Sequence, residues 1–273
     1  MIDGMVDSSV TPVISLLTDF GLTDPYVSEM KAVILSICPR ARIVDISHLV
    51  EKFNIRMGAY LLATAAASFP TATVHVAVVD PGVGSPRRPI VIETAHSLLV
   101  GPDNGLLVPA AQAEGILHVY QVTNRSITRS QVSATFHGRD IFGPVAAHLA
   151  CGTPVMECGV EITDFLKPSY AEPKFDGKRV RGEVFHVDSF GNIITNVHSM
   201  QVPFNLKANQ KLKISVGNKQ FSARHVNTYS DLKKDEYGLL VGSHGYLEVT
   251  CREKSAAKRV RARTGMAVWF SGV

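Results

Sequence analysis

The chain has 273 residues, 45% of them hydrophobic and 19% charged, with a net charge of +4. This is ordinary globular composition, enough for one large domain or two smaller ones, and no repeat or low-complexity tract interrupts it. Gly58 to Phe69, the longest nearly apolar run, is too short for a bilayer, which needs about 20 residues. Met1 to Pro12 carries two Asp and no basic n-region, so no secretory signal is expected and the chain reads as cytoplasmic.

Taken in order, Val13 to Thr18 is a short apolar strand closed by Asp19. Asp24 and Pro25 form a helix start, as N-cap and N1 proline. The helix runs from Tyr26 to Ile37 and stops at Pro39. Ile43 to Ile46 is a second strand, Ile55 to Phe69 an Ala-rich helix ended by Pro70, and Thr73 to Val79 a third strand. Pro89 to Thr94 and Ser97 to Val100 read as paired strands before a Pro-Asp-Asn-Gly turn at 102–105. Asp140 to Ala150 reads as a helix ending at Gly152. Strands alternating with helices predict an α/β domain over 11–167 with a mainly parallel sheet. Residues 168–178 have linker composition. Beyond them the period falls to two. Strands are predicted at Val180 to Val187, Lys211 to Val216, Gln220 to His225, Gly245 to Thr250 and Met266 to Phe270. That pattern predicts an all-β, barrel-like domain over 179–273.

Cys38, Cys151, Cys158 and Cys251 are scattered, and no pair has the C-x-x-C spacing of a zinc or redox site. All four are expected reduced, with Cys38 and Cys151 as helix core residues and no metal bound. The late basic run, Arg252, Lys254, Lys258, Arg259, Arg261 and Arg263, lacks interleaved aromatics. It reads as a solvated face, so nucleic acid is not the expected partner.

Several loops carry chemistry. Residues 77–88 place Asp80 at the end of an apolar strand, followed by a Pro-Gly turn, Gly84, Arg87 and Arg88. In open α/β sheets ligands bind beyond the carboxyl ends of the strands, where an Asp and an Arg hold and polarise a small polar species. A strand-end Asp that satisfies only its own turn is the plain alternative. Asp19, before Gly21, is a second strand-end carboxylate, suited to the hydroxyls of a ribose or simply to a turn. No G-x-G-x-x-G and no P-loop pattern is present, so an unphosphorylated nucleoside fits better than NAD or ATP. In Phe136-His137-Gly138-Arg139-Asp140, His137 lies in a loop before a helix, with Asp140 in a capping position. Asp188 and Asn192 flank a turn; an Asn pairs with an adenine edge and an Asp with an ammonium, yet both are also favoured hairpin residues. Ser243, in Gly242-Ser243-His244-Gly245, is suited to a carboxylate.

In this order the segments resemble the S-adenosylmethionine hydrolase (adenosine-forming) family, also called S-adenosylmethionine hydroxide adenosyltransferases, relatives of fluorinase and chlorinase. The resemblance runs from about Val13 to Phe270. It includes Asp45-Ile46-Ser47-His48 and Gly101-Pro102-Asp103-Asn104-Gly105 besides the loops above. It implies an α/β domain joined to a β-barrel-like domain. It further implies a homotrimer whose ligand lies between the first domain of one subunit and the second domain of the next, and no cofactor beyond the substrate itself. An Asp-Arg-His water site then falls on Asp80, Arg87 and His137. Asp19 matches the ribose carboxylate and Phe53 an aromatic residue packed on the ribose. Asp188 and Ser243 match methionine contacts, and Asn192 the adenine contact. His244 stands where the halogenases place an Arg. They also carry a Tyr at the position of Asp80 and a Ser at that of Gly138, so the resemblance implies hydrolysis of S-adenosyl-L-methionine to adenosine and L-methionine rather than halogenation. A non-catalytic nucleoside-binding module remains the alternative of another class.

Overall fold

The computed structural model describes residues 11–177, 179–203 and 206–272. The opening segment read for targeting signals lies outside them as far as Val10. The chain divides into two compact units between Pro168 and Ser169. In the first, β1 (Val13–Thr18), α1 (Tyr26–Ile37), β2 (Arg42–Ser47), α2 (Ile55–Ala66) and β3 (Val74–Val78) alternate. They are followed by β4 (Pro89–Thr94), β5 (Leu98–Pro102), α3 (Val108–Glu114), β6 (Ile116–Val122), α4 (Gly143–Ala150) and β7 (Gly159–Glu161). The sheet order is β2-β1-β3-β5-β4-β6-β7. Its first four strands are parallel, the core expected from the alternation, with Ser15 level with His75 and Leu16 with Val76. The β4, β6 and β7 flank is antiparallel.

On one face, Ile14 and Leu16 of β1 and Val74, Val76 and Val78 of β3 are buried against Met30 and Ile34 of α1 and Val145 and Ala146 of α4. Each such side chain contributes roughly 1.5–3 kcal/mol by leaving water. On the other face α2 lies so close that a Cβ at Gly58 would sit 2.8 Å from Leu106 and 3.0 Å from Val79. The chain steps from β1 to β2 on one side and then to β3 on the other. The crevice beyond the carboxyl ends of β1 and β3 is therefore the switch point where α/β sheets take ligands. Thr18-Asp19 and Val79-Asp80 lie there.

Three local readings are corrected. The residue before α1 is Pro25, with no side-chain cap, so Asp24 does not cap it. The helix predicted from Asp140 is a π-helical turn over Gly138–Phe142 that passes into α4. Asp140 does not cap it but is fully buried inside that turn. Cys38 is core as expected, but Cys151 is exposed at the end of α4.

The second unit comprises β8 (Lys174–Asp176), β9 (Arg179–Val187), β10 (Ile193–His198), β11 (Lys211–Val216), β12 (Lys219–His225), β13 (Tyr237–Val241), β14 (Tyr246–Cys251), α5 (Ala256–Val260) and β15 (Ala267–Gly272). The order β10-β14-β13-β12-β11-β15-β9 closes through a β9–β10 pairing into a seven-stranded barrel. Alternate residues, among them Val180, Leu212, Ile214, Leu247, Val249, Val268 and Phe270, fill its interior. The stretch read as linker contributes β8, antiparallel to β9. Of the basic run, Lys258 and Arg259 lie exposed on α5, whose Ala256, Ala257 and Val260 are buried.

Candidate active site

The loop after β3 turns at once: Val83 N–H donates to Asp80 O (3.2 Å), and Ser85 Oγ donates to Gly82 O (2.6 Å) and accepts from Arg87 N–H (3.3 Å). Gly84 has φ +78, and a Cβ there would lie 2.6 Å from the carbonyl oxygen of Ala134. Only glycine fits both demands. The loop is thereby seated against the segment that leads to His137.

The turn returns Arg87 to the carboxylate seven residues before it. Its Nε donates to Asp80 Oδ1 at 3.0 Å and its Nη2 to Asp80 Oδ2, a bidentate fork. Nη2 also lies 2.6 Å from His137 Nδ1. A guanidinium has only donors, so Nδ1 is the acceptor and the neutral ring carries its proton on Nε2. Burial, and then the Arg87 charge, hold the His137 pKa below its ordinary value, so the ring is neutral at pH 7. Arg87 Nη1 is buried and has no acceptor among the described residues. Native structures seldom leave such a donor unpaired. The tandem arginines diverge: Arg88 binds Asp103 and Asp164 instead. Asn104 Nδ2 donates to Val79 O, tying the 102–105 turn to the end of β3.

Arg139 and Asp140 hold the His137 loop. Arg139 donates to Asp140 through Nε (2.7 Å) and Nη2 (3.1 Å) and to Glu29 of α1 through Nη1 (2.9 Å). Asp140 Oδ2 accepts from Ser133 N–H at 2.8 Å. Burial alone would push the Asp140 carboxyl up; the Arg139 and Ser133 hydrogen bonds overcome it and hold the pKa below the usual range. Gly138 is buried, and a Cβ there would meet the Phe20 ring at 3.2 Å.

Asp19 sits beside this group on β1's exit. Its Oδ2 accepts from Phe53 N–H at 2.8 Å and its backbone oxygen from Lys52 Nζ at 2.5 Å. Phe53 is 68% exposed and held at φ +63. A bulky residue in the left-handed region with its ring in water is strained without gain to folding, which points to function.

In the second unit, Asp188 Oδ1 and Oδ2 accept from Asn192 N–H and Nδ2, both at 2.8 Å, and Asn192 Oδ1 accepts from Thr250 Oγ1 at 2.6 Å. The Asn192 amide is thus largely engaged within its own turn, with one Nδ2 proton and one lone pair to spare. Ser243 and His244 are exposed on a tight turn, Ser243 Oγ lying 3.3 Å from His244 Nδ1.

Residues 14–159 match the family model of the SAM hydroxide adenosyltransferase N-terminal domain, and residues 182–269 that of its C-terminal domain. The chain belongs to the SAM hydroxide adenosyltransferase family. An (R)-S-adenosyl-L-methionine hydrolase of Salinispora tropica is 40% identical over 252 residues, covering 90% of this chain and 93% of the relative. A solved structure of an uncharacterized conserved protein from Thermotoga maritima superposes with a TM-score of 0.88 at 36% identity, over 94% of this chain and 99% of that one. A fluorinase of Nocardia brasiliensis is more distant, at 27% identity over 289 residues, covering 94% of this chain and 96% of the relative.

In this family member the first unit brings Asp80, Arg87 and His137 into direct contact, with Asp19 and Phe53 bonded to each other nearby. The second unit joins Asp188 to Asn192 and, separately, Ser243 to His244. Sequence reasoning gave no role to Glu248, buried on β14, whose Oε1 accepts from Tyr229 Oη at 2.6 Å. Burial pushes its carboxyl up against that hydrogen bond, and Asp188 adds to the rise. A charged residue between apolar Leu247 and Val249 was the available signal. Arg139 was also missed as a support, because its second partner, Glu29, lies far away in sequence.

Proposed function

We propose that this family member hydrolyses S-adenosyl-L-methionine to adenosine and L-methionine, with one water attacking the ribose C5′. The direct contact of the Asp80 carboxylate with the Arg87 guanidinium, which also touches the neutral His137 ring, is the observation that carries the reading. We place the water against this cluster, donating to a free lone pair of Asp80, with Arg87 fixing that carboxylate and His137 bounding the site. The C5′–O bond forms as the C5′–S bond breaks. The sulfur leaves with the bonding pair as a neutral thioether, so the leaving group needs no acid and no metal. The water's proton goes to Asp80 and from there to solvent. Hydroxide character meeting a sulfonium cancels charge, so aligning the three reacting atoms and excluding bulk water supply most of the acceleration.

Asp19 Oδ1 takes the ribose diol and Phe53 covers the sugar. Asp188, Ser243 and His244 face the methionine portion, and the spare capacity of Asn192 serves adenine. We read the assembly as a homotrimer in which the second unit completes the site of a neighbouring subunit. A cytoplasmic location fits the four free thiols. Among the described residues no helix is long and apolar enough to cross a membrane. Against halide chemistry stand Asp80, an anion where an anion would enter, and the lack of room at Gly138 for a halide-binding side chain.

Incubation with S-adenosyl-L-methionine, with and without chloride or fluoride, tests the reading by chromatography and mass. Adenosine and methionine in equal amounts are expected. A 5′-halo nucleoside, or binding without turnover, overturns it.

A further inference from the structure

One segment of the sequence pattern, Asp45-Ile46-Ser47-His48, has no part in the reaction above. His48 is 4% exposed at the exit of β2. Its Nδ1 lies 2.8 Å from Thr18 Oγ1 on the neighbouring strand. Its Nε2 lies 3.1 Å from Asp45 Oδ1, close but poorly aligned. Asp45 Oδ2 accepts from Lys31 Nζ of α1 at 2.6 Å. The carboxylate beside Nε2 favours the ring proton on that nitrogen, which leaves Nδ1 to receive the Thr18 hydroxyl proton.

The resulting order, Thr–His–Asp, is that of a nucleophile triad, but Thr18 is fully buried and no substrate reaches it. Its hydroxyl has another task. Thr18 Oγ1 accepts from the N–H of Phe20 at 3.2 Å, the local turn by which a Ser or Thr fixes the residue between. That residue is Asp19. The direction of its carboxylate follows from the backbone that the Thr18 hydroxyl holds, and that hydroxyl pairs with His48, whose ring lies against the Asp45–Lys31 ion pair.

We propose that Thr18, His48 and Asp45 are positioning residues, a side-chain relay from α1 that aims Asp19 and so sets the affinity for the ribose diol. The proposal rests on the reading of Asp19 as the ribose carboxylate. Backbone bonds from Gly21 N–H to His48 O (2.8 Å) and from Val50 N–H to Thr18 O (3.4 Å) hold the two strand exits together without the relay side chains, so variants at these side chains keep the local fold.

The test measures, by calorimetry on the full chain, the affinity ratio of adenosine to 2′,3′-dideoxyadenosine, alongside KM and kcat. Asp19→Asn brings the ratio near one. Thr18→Val and Asp45→Asn lower it about fivefold or more, the scale of a weakened hydrogen bond to a charged group, and raise KM more than they lower kcat. Thr18→Ser, which keeps the hydroxyl, restores the ratio. If Asp19→Asn collapses the ratio but Thr18→Val lowers only the melting temperature, the relay is merely structural and the proposal is wrong while the ribose reading stands. If Asp19→Asn leaves the ratio unchanged, or the parent binds neither nucleoside, the ribose reading falls and the relay with it. Should Thr18→Val not fold, Asp45→Asn and Lys31→Met decide alone, since these side chains are 39% and 32% exposed.

Discussion

Replacing Asp80 by Asn changes the water site by one charge and almost no volume. The carboxylate takes two N–H donors from Arg87, through Nε and Nη2. The amide offers one oxygen and one NH2, so one guanidinium N–H faces another donor. Both side chains are shielded, Arg87 being 9% and Asp80 5% exposed, and breaking such a buried pair costs about 3–5 kcal/mol of stability. The catalytic loss is that of a positioned base, roughly a hundredfold to ten-thousandfold, or about 2.7–5.4 kcal/mol at 1.36 kcal/mol per decade. KM should stay within about threefold, because the contacts proposed for the ribose and the methionine lie on other residues. The assay is the initial rate of adenosine release against S-adenosyl-L-methionine concentration, with the melting temperature recorded on the same preparation. A variant that melts lower yet keeps the parental kcat would refute the assignment of Asp80 to the water.

Gly138→Ser places a Cβ 3.2 Å from the Phe20 ring, overpacking that costs about 1–3 kcal/mol; hydrolysis should fall with no 5′-halo product in fluoride or chloride, and a halogenating variant would reverse the argument. Gly84→Ala meets both the positive φ and Ala134 O at 2.6 Å, so it should lower kcat by tenfold or more through displacement of the 80–88 loop; parental kinetics would show that the loop seat is dispensable. His75, buried between β1 and β5, bonds Ser15 Oγ through Nδ1, and burial pulls its pKa down to about 4 from 6.5 against a weaker pull from Glu114. Below pH 6.5 the unfolded chain takes up a proton that the folded chain refuses, so stability falls between about pH 6.5 and 4, by on the order of 3 kcal/mol. Chemical denaturation of the parent and of His75→Gln should show a flatter slope for the variant across that window, and equal slopes would exclude His75 as a cause of acid lability.

The strand and helix alternation of the first unit was legible because burial on both faces produces long apolar runs, as in Val74–Val78, while helices such as Tyr26–Ile37 repeat at 3.6. The candidate site loops stand out for the same reason. Parallel strands deliver their carboxyl ends to one edge, so each polar residue after an apolar run, Asp19 or Asp80, is a site candidate from position alone. Less legible was whatever depends on partners distant in sequence. Asp140 looks like a cap until Arg129, Arg139 and Ser133 are seen around it. Tyr237–Val241 has only five residues after a polar stretch, and the first residues of Ile193–His198 merge with a turn whose Asn192 draws attention to itself. The engagement of that amide with Asp188 and Thr250 has no local signature either.

The Asp80–Arg87–His137 cluster and the Asp19 turn are both tied to one helix. Along α1 the buried stripe passes through Val27, Met30 and Ile34. Glu29 and Lys31 flank Met30, about 100° to either side of it. Glu29 reaches Arg139, which grips Asp140 and so the loop of His137. Lys31 reaches Asp45, which faces His48 and so the turn of Asp19. The core contact at Met30 fixes the rotation of the helix, and that rotation fixes where both charges arrive. Reversing one arm, Glu29→Lys, should lower kcat through the water site with little change in the nucleoside affinity ratio, whereas Lys31→Glu should do the opposite. Such a split is available only if the helix transmits to each side independently, so a variant of either kind that shifts both readouts equally would mean that the helix moves as one body and the arms carry no separate information.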